Sequence, residues 1–198
     1  MSHNVFTEIS ERISTVCTPE GEIHTEAFLA ICRCVLPIID KLGTSFYPAK
    51  ADVGGNIERL TTRAKQDPSG HALLFDVVRK EMIAGEHHDS RSATKGLLWL
   101  KRFLEFVIAL LRNLSDPQAT LFDASNEAYK TCLQPFHGFI AGGAFTIVLN
   151  LCGTRESFEE AIGGETDDRS KFLEGFPPIV ESIHQFLVAN GLDDPTKV

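Results

Sequence analysis

The 198-residue sequence lacks the features that mark several functional classes of protein. Acidic residues outnumber basic ones, 27 to 19, and no basic stripe of the kind that binds nucleic acid is present. No apolar run is both long enough and uncharged enough to cross a bilayer. Phosphate-binding glycine loops, dinucleotide fingerprints, nucleophile elbows and zinc-helix motifs are also missing. We therefore expect a protein that does not bind nucleic acid, is not an enzyme and needs no cofactor.

The five cysteines do not follow the spacing of a disulfide framework or a metal site. Cys32 and Cys34 are the nearest pair, but they would lie about 200° apart on a helix and have no second pair to complete a metal site. The first fifteen residues are polar and charged, so we expect no signal peptide. These observations favour reduced thiols, a cytoplasmic location and no bound metal.

Apolar spacing predicts helices along the chain and no strand. The segment Ser92–Arg112 is the centre of this prediction, because its apolar residues between Leu97 and Leu111 cover almost the whole helix circumference. That distribution is typical of a helix buried in a bundle. We predict seven or eight helices in one domain over residues 1–198, with residues 1–24 forming a loosely attached N-terminal segment.

The bounds of the other helices follow from apolar periodicity and from the positions of Gly and Pro. They are expected at Val5–Val16, Thr25–Leu42, Phe46 or Pro48 to Lys65, Gly70–Ala84, 125–151, Arg155–Ile162 and Asp167–Ala189, the last interrupted by Pro177 and Pro178. Pro37 and Pro135 should bend the helices that contain them. Gly54 and Gly55 fall inside a helix, where each costs about 1 kcal/mol relative to Ala. We expect another group to approach the backbone closely there.

Several polar and aromatic residues of these helices have either a structural or a functional explanation. Asp52, Asn56 and Arg59 lie at positions i, i+4 and i+7 and share one helix face. They form either a solvated face or a set of donors and acceptors for a polyhydroxylated ligand. Trp99 either packs in the core or stacks on a sugar. His137 lies on an apolar stripe, either as a hydrogen-bonded core histidine or as a contact to a ligand amide beside an apolar cavity.

Three segments of the chain, in this order and at these separations, resemble the glycolipid transfer protein family. They are ADVGGNIERL at 51–60, TKGLLWLKRFLEF at 94–106 and AYKTCLQPFHGFIAGGAF at 128–145. The resemblance extends from about Thr25 to Ala189 and favours the functional explanation of each polar residue. It implies an all-α, two-layer helical sandwich that encloses one glycosphingolipid. It further implies a monomer that contacts membrane surfaces transiently and transfers this lipid between them without chemical change.

The resemblance also implies roles for individual residues. The sugar headgroup stacks on Trp99 and hydrogen-bonds with Asp52, Asn56 and Arg59, the last of which replaces a lysine common in the family. Asp52 and His137 hold the ceramide amide. Leu133 and Phe145 are assigned to the hydrocarbon tunnel. Membrane contact is expected from Phe139, at the position of the family's tryptophan, or from Phe136, Ile140 or Tyr47 in its place. Phe139 stands where many members of the family have a tryptophan, and Phe lacks the polar group that favours Trp at a bilayer interface.

A related branch of the family that carries ceramide-1-phosphate provides the main alternative. It has two arginines four positions apart on the central helix, one of them at the Trp position, whereas this chain has Lys95 and Trp99 there. Trp99 favours a sugar headgroup. In the alternative, Lys95 and Arg102 are the phosphate contacts. A glycolipid sensor or adaptor that uses the same site, and a helical interaction protein that has lost the site, are further alternatives.

Overall fold

The computed structural model describes residues 5–163 and 167–198, and within them the regular structure is helical, without an extended strand. The helices are α1 Val5–Ile13, α2 Thr25–Val35, α3 Pro37–Leu42, α4 Tyr47–Gln66, α5 Leu74–Ala84, α6 Ala93–Asn113, α7 Leu121–Cys132, α8 Phe139–Leu149, α9 Arg155–Ile162, α10 Asp167–Gly175 and α11 Pro177–Ala189. Only Leu36 separates α2 from α3, and only Phe176 separates α10 from α11. These described residues therefore form nine helical units, close to the predicted number.

The helix α6 is the buried centre of the molecule, as predicted, and its N-terminus is firmly fixed. The Ser92 hydroxyl accepts the Lys95 N–H at 3.1 Å, and the buried carboxylate of Glu81 accepts the N–H groups of Ala93 and Thr94 at 2.9 and 2.8 Å. These bonds satisfy donors that have no partner within the helix, and the negative charge is favourable at this end of the helix dipole.

The helices form a two-layer sandwich around a continuous core. In one layer α6 lies between α4 and α7, and α1, α2 and α10 pack together in the other. The buried apolar side chains form one cluster that extends from Phe6 in α1 to Leu192 after α11. This continuity supports a single domain over residues 1–198, which stays a prediction. None of the helices in the described ranges has the length and apolarity that a membrane span would need.

The N-terminal segment is more firmly attached than expected. Residues 1–4 lie outside the described residues, but Phe6 and Ile9 of α1 are fully buried, and the Phe6 ring lies 5.6 Å from that of Phe172 in α10. The Thr7 hydroxyl also donates to the Asp168 carboxylate at 2.7 Å. The prediction of a loosely attached segment is therefore wrong for α1, because its two apolar side chains complete the second layer.

The predicted helix over residues 125–151 is two separate helices. α7 ends at Cys132, a 3₁₀ turn covers Gln134–Phe136, and α8 begins at Phe139 after an extended His137 and Gly138. Pro135 has no N–H to continue the helical bonds, and it disfavours helical geometry at the preceding residue. The result is a complete break where we predicted a kink, and it places His137 in a connection instead of on a helix.

The expected close approach to the backbone occurs at a different glycine. A Cβ added to Gly54 or Gly55 would meet nothing within 4 Å, so the prediction of crowding there is wrong. A Cβ at Gly96 of α6 would instead lie 3.2 Å from the Asn56 carbonyl oxygen and 3.5 Å from the Arg59 Cβ. Gly96 thus permits α6 to approach α4 beside the polar residues of α4.

Candidate functional site

A cavity of about 510 Å³ lies between α4, α6, the α7–α8 connection and α8. Its volume is within the range typical of small-molecule sites, about 300–1,000 Å³. It brings together all of the residues predicted for the headgroup, the amide and the hydrocarbon tunnel: Asp52, Asn56, Arg59, Trp99, His137, Leu133 and Phe145. Most of the remaining wall is apolar, with Ile39, Leu42, Phe46, Val53, Phe103, Phe106 and Val148 among its residues.

The polar residues of α4 form a hydrogen-bonded row along one wall of the cavity. The Asn56 side-chain amide donates to the Asp52 carbonyl at 3.0 Å and to its carboxylate at 3.2 Å. The Arg59 guanidinium donates to the Asn56 side-chain oxygen at 3.1 Å. The helix spacing produces this row, since residues three and four apart are neighbours. Asn56 is buried and Asp52 is exposed, and the buried amide links the Asp52 carboxylate to the Arg59 guanidinium at the cavity wall.

Trp99 is half-buried in the cavity wall and is held by a neighbouring cation. The guanidinium carbon of Arg102 lies 4.9 Å from the centre of the Trp99 ring and 3.4 Å from that of Phe136. The His137 ring lies 6.0 Å from the indole, at an interplanar angle of 27°. Cations near aromatic faces are attracted by the ring quadrupole, so these neighbours fix the orientation of the indole.

His137 is oriented by Tyr129, a contact that the sequence analysis missed. The Tyr129 hydroxyl lies 3.2 Å from His137 Nδ1, and the Tyr129 ring stacks on Phe145 with centroids 4.1 Å apart. Burial lowers the pKa of His137, with Asp52 opposing the shift and Arg102 adding to it, so the imidazole is neutral at pH 7. We assign the hydroxyl as the donor to Nδ1, which leaves the ring proton on Nε2.

The C-terminal residues also reach the site, again without a signal in the sequence. The Val198 N–H donates to the Phe136 carbonyl at 3.0 Å, and the Gly138 N–H donates to the Val198 main-chain oxygen at 2.6 Å. Val198 lines the cavity. A Cβ at Gly138 would lie only 3.0 Å from the Val198 oxygen, so glycine permits this close approach beside His137.

The two cations of the phosphate alternative, Lys95 and Arg102, do not line the cavity. The Lys95 ammonium donates to the Asp194 carboxylate in a short bond, which holds the pKa of Asp194 well below its usual range. The Arg102 guanidinium donates to the Asp194 carbonyl at 2.6 Å and lies 3.5 Å from the Asp193 carboxylate. Both cations therefore have acidic or carbonyl partners in the C-terminal segment.

An exposed apolar surface lies next to the cavity. Phe139 and Ile140 in the first turn of α8 are 98% and 86% exposed, and Tyr47 in the first turn of α4 is 72% exposed. The sequence of α8, FIAGGAFTIVL, has no charged residue, yet only Leu149 is fully buried. Phe136, predicted for the same surface, is half-buried beneath Arg102. Apolar patches of this kind are typical of protein or membrane contacts.

Groups of three or more potential His, Cys, Asp or Glu ligands are absent from the described ranges 5–163 and 167–198. All five cysteines are free thiols, and burial raises the pKa of Cys32 and Cys132. A raised thiol pKa disfavours the thiolate that metals and electrophiles require.

A family model and a relative of similar length both match this chain to the same protein family. The family model described as "Glycolipid transfer protein (GLTP)" matches residues 23–164. Glycolipid transfer protein 1 of Arabidopsis thaliana is 35% identical over 198 residues, which cover 98% of each chain.

Solved structures with the same fold cover nearly the whole chain. A structure that reports how FAPP2 selects simple glycosphingolipids using the GLTP-fold has a TM-score of 0.88 and 29% identity, and the match covers 98% of this chain and 99% of that one. A mutant of Arabidopsis ACD11 complexed with ceramide-1-phosphate has a TM-score of 0.87, with coverage of 98% and 100%, but only 19% identity. The second likeness shows the fold alone.

Proposed function

The chain belongs to the glycolipid transfer protein family, and we propose that it carries one glycosphingolipid at a time between membranes. Members of this family transfer lipids and are not enzymes. The functional site of such a protein is therefore a lipid-binding cavity. The observation that carries the proposal is that the polar row of α4, Trp99 and His137 meet a largely apolar wall in one cavity.

We propose a neutral sugar as the headgroup. The Trp99 face offers an apolar surface for the sugar ring, and the row Asp52–Asn56–Arg59 offers acceptors and donors for its hydroxyls. Among the described residues that line the cavity, Arg59 is the only Lys or Arg and Asp52 the only Asp or Glu. With His137 neutral, these two side-chain charges offset each other. An anionic headgroup would have to lie beside the Asp52 carboxylate without a net positive charge to compensate.

We propose that the ceramide amide binds between His137 and Asp52. In the assigned tautomer, His137 Nε2–H donates to the amide carbonyl and the Asp52 carboxylate accepts the amide N–H. Leu133 and Phe145 then contact the hydrocarbon. Each buried methylene is worth about 0.8 kcal/mol, so one long acyl chain contributes on the order of 10 kcal/mol. A free lipid that crosses water must expose this surface, which is why a carrier accelerates its transfer.

The exposed apolar residues Phe139, Ile140 and Tyr47 are the proposed membrane contact. They lie at the ends of α4 and α8 that border the cavity, so docking through them would bring its opening to the bilayer. Full insertion of each large side chain is worth about 1.5–3 kcal/mol, which suits transient attachment. We further propose that the protein acts as a monomer in the cytoplasm, where its free thiols remain reduced.

Transfer of labelled lipids between vesicles tests the proposal. We expect rapid movement of galactosylceramide or lactosylceramide and little movement of ceramide-1-phosphate or phosphatidylcholine. Trp99→Ala and Asp52→Val should each lower the transfer rate by about tenfold or more, because each removes headgroup contacts. Asp76→Val is the matched control for Asp52→Val, since the Asp76 carboxylate pairs with Arg79 on the surface of α5.

The proposed headgroup is wrong if ceramide-1-phosphate moves faster than the glycosylceramides. The proposed site is wrong if the Trp99 and Asp52 variants transfer glycosylceramides as fast as the unaltered protein. The urea midpoint of each variant must be measured alongside, because a variant that unfolds would lose transfer for an unrelated reason.

A further inference from the structure

Two consecutive acidic residues after α11 engage three cations of α6. The Asp193 carboxylate lies 3.6 Å from the Lys101 ammonium and 3.5 Å from the Arg102 guanidinium. The Asp194 carboxylate pairs with Lys95 instead, through the short bond described above. The two acids therefore serve different cations.

The two ion pairs differ in how deeply their cations are buried. Lys101 and Arg102 are buried, 3% and 1% exposed, and a buried cation without a counter-ion is strongly destabilising. Asp193 meets that need for Arg102, and it shares Lys101 with Glu105, whose carboxylate lies 3.3 Å from the ammonium. The Lys95 side chain is 25% exposed, so water could solvate its charge without Asp194. The Asp194–Lys95 pair is thus not required to compensate a buried charge.

Lys95 lies close to Trp99 along α6. It is one helical turn before Trp99 and on the same face of α6, since residues i and i+4 are neighbours. The adjacent Gly96 packs against the Asn56 carbonyl and the Arg59 side chain. Lys95 is therefore one turn from Trp99 on α6 and adjacent in sequence to the glycine that packs on α4, and its flexible four-carbon stem permits movement toward Trp99.

We propose that Asp194 determines headgroup specificity by holding Lys95 in an ion pair and so withholding a second cation from the headgroup site. The excluded ligands are ceramides with an anionic phosphate or sulfate ester. This inference rests on the proposed function, since it states which headgroups that site rejects. With Lys95 paired, the charge of the cavity wall is that of Arg59 against Asp52. With Lys95 released, a second cationic side chain joins Arg59 near the headgroup.

Asp194→Asn tests this directly, because the amide has the shape of the carboxylate but not its charge. The Asp194 carbonyl that accepts from Arg102 is unaffected. The full chain is titrated with short-chain ceramide-1-phosphate, sulfatide and glucosylceramide, and binding is followed by the fluorescence of Trp99, the single tryptophan. We expect the affinity for both anionic lipids to rise by about tenfold, the size of one charge-assisted hydrogen bond, and the glucosylceramide affinity to stay within about twofold.

Three further variants separate the charge of Lys95 from other effects. Asp194→Asn combined with Lys95→Met should cancel the gain, and Asp194→Glu should show none. Asp76→Asn changes the net charge equally at a distant surface pair and should also show none. The role of Asp194 is refuted if Asp194→Asn leaves the anionic-lipid affinities unchanged. It is equally refuted if the gain persists with Lys95→Met, because a loosened C-terminal segment would then be the cause.

The inference and the proposed function fail in different ways. If the unaltered protein neither binds nor transfers glucosylceramide, the proposed function is wrong, while the ceramide-1-phosphate titrations still decide the role of Asp194. If glucosylceramide is bound and transferred but Asp194→Asn gains nothing for the anionic lipids, only the role of Asp194 is wrong.

Discussion

Tyr129→Phe removes a single oxygen atom from the site and is the sharpest test of how His137 is oriented. The substitution deletes the 3.2 Å contact to His137 Nδ1 and retains the ring that stacks on Phe145. A neutral hydrogen bond contributes about 0.5–1.5 kcal/mol net, which corresponds to about a two- to tenfold loss of lipid affinity. The loss should appear in binding because Nδ1, without its donor, can take the ring proton and leave Nε2 unable to donate to the amide.

The effect of Tyr129→Phe is measured by titrating the protein with short-chain glucosylceramide and following Trp99 fluorescence. Tyr47→Phe is the matched control, since it removes the same oxygen from a tyrosine that is 72% exposed. The urea midpoint should not change for Tyr47→Phe. For Tyr129→Phe it should fall by the equivalent of no more than about 0.5–1.5 kcal/mol of stability, because the half-buried His137 remains accessible to water.

Two outcomes would refute this account of Tyr129. If Tyr129→Phe binds glucosylceramide as tightly as the unaltered protein does, the hydroxyl does not orient a ligand-binding imidazole. If it loses affinity only in proportion to a loss of folding stability, the role of Tyr129 is structural.

Three other perturbations have definite expected results. Burial lowers the pKa of His137, so the unfolded chain binds a proton at a higher pH than the folded protein does. The free energy of unfolding therefore falls as the pH drops below about 6.5. His137→Gln should flatten this decline, measured as the urea midpoint between pH 7.5 and 5.5. Phe139→Ser should reduce vesicle binding in a sedimentation assay by about tenfold or more at unchanged stability, and Phe139→Trp should increase it. Glu81→Ala leaves the N–H groups of Ala93 and Thr94 without their acceptor and should lower the free energy of unfolding by about 2–4 kcal/mol.

Each of these expectations has a contrary result. An equally steep acid decline in His137→Gln would assign the pH dependence to other groups. Equal vesicle binding by the Phe139 variants would move the membrane contact away from the start of α8. A loss below about 0.5 kcal/mol for Glu81→Ala would mean that water replaces the carboxylate at the N-terminus of α6.

The sequence predicted the helix bounds and helix faces that depend on neighbouring residues alone. The bounds of α9 were predicted as Arg155–Ile162 and are the same in the structure, and α6 was predicted to within one residue at each end. The polar row was predicted for a similar reason: the spacing Asp52, Asn56, Arg59 fixes one helix face whatever the tertiary structure.

The features that the sequence did not predict depend on contacts between distant segments. Pro135 indicates a disturbance, but whether a helix bends or ends there depends on what packs around His137 and Gly138. No local sequence feature distinguishes Gly96 from Gly54, because a glycine is required at position 96 only by the close packing of α4 against α6. The pairing of Lys95 with Asp194 joins residues 99 positions apart, and apolar periodicity carries no information about it.

Native mass spectrometry of the protein after exposure to mixed vesicles would test the central claim most directly. The vesicles contain equal amounts of glucosylceramide, ceramide-1-phosphate and phosphatidylcholine, and the protein is re-isolated and weighed intact. We predict one added mass per chain, equal to that of glucosylceramide, and its loss in Trp99→Ala. Protein that returns without lipid, or with the phosphorylated lipids in preference, would contradict the claim that this cavity carries a glycosphingolipid.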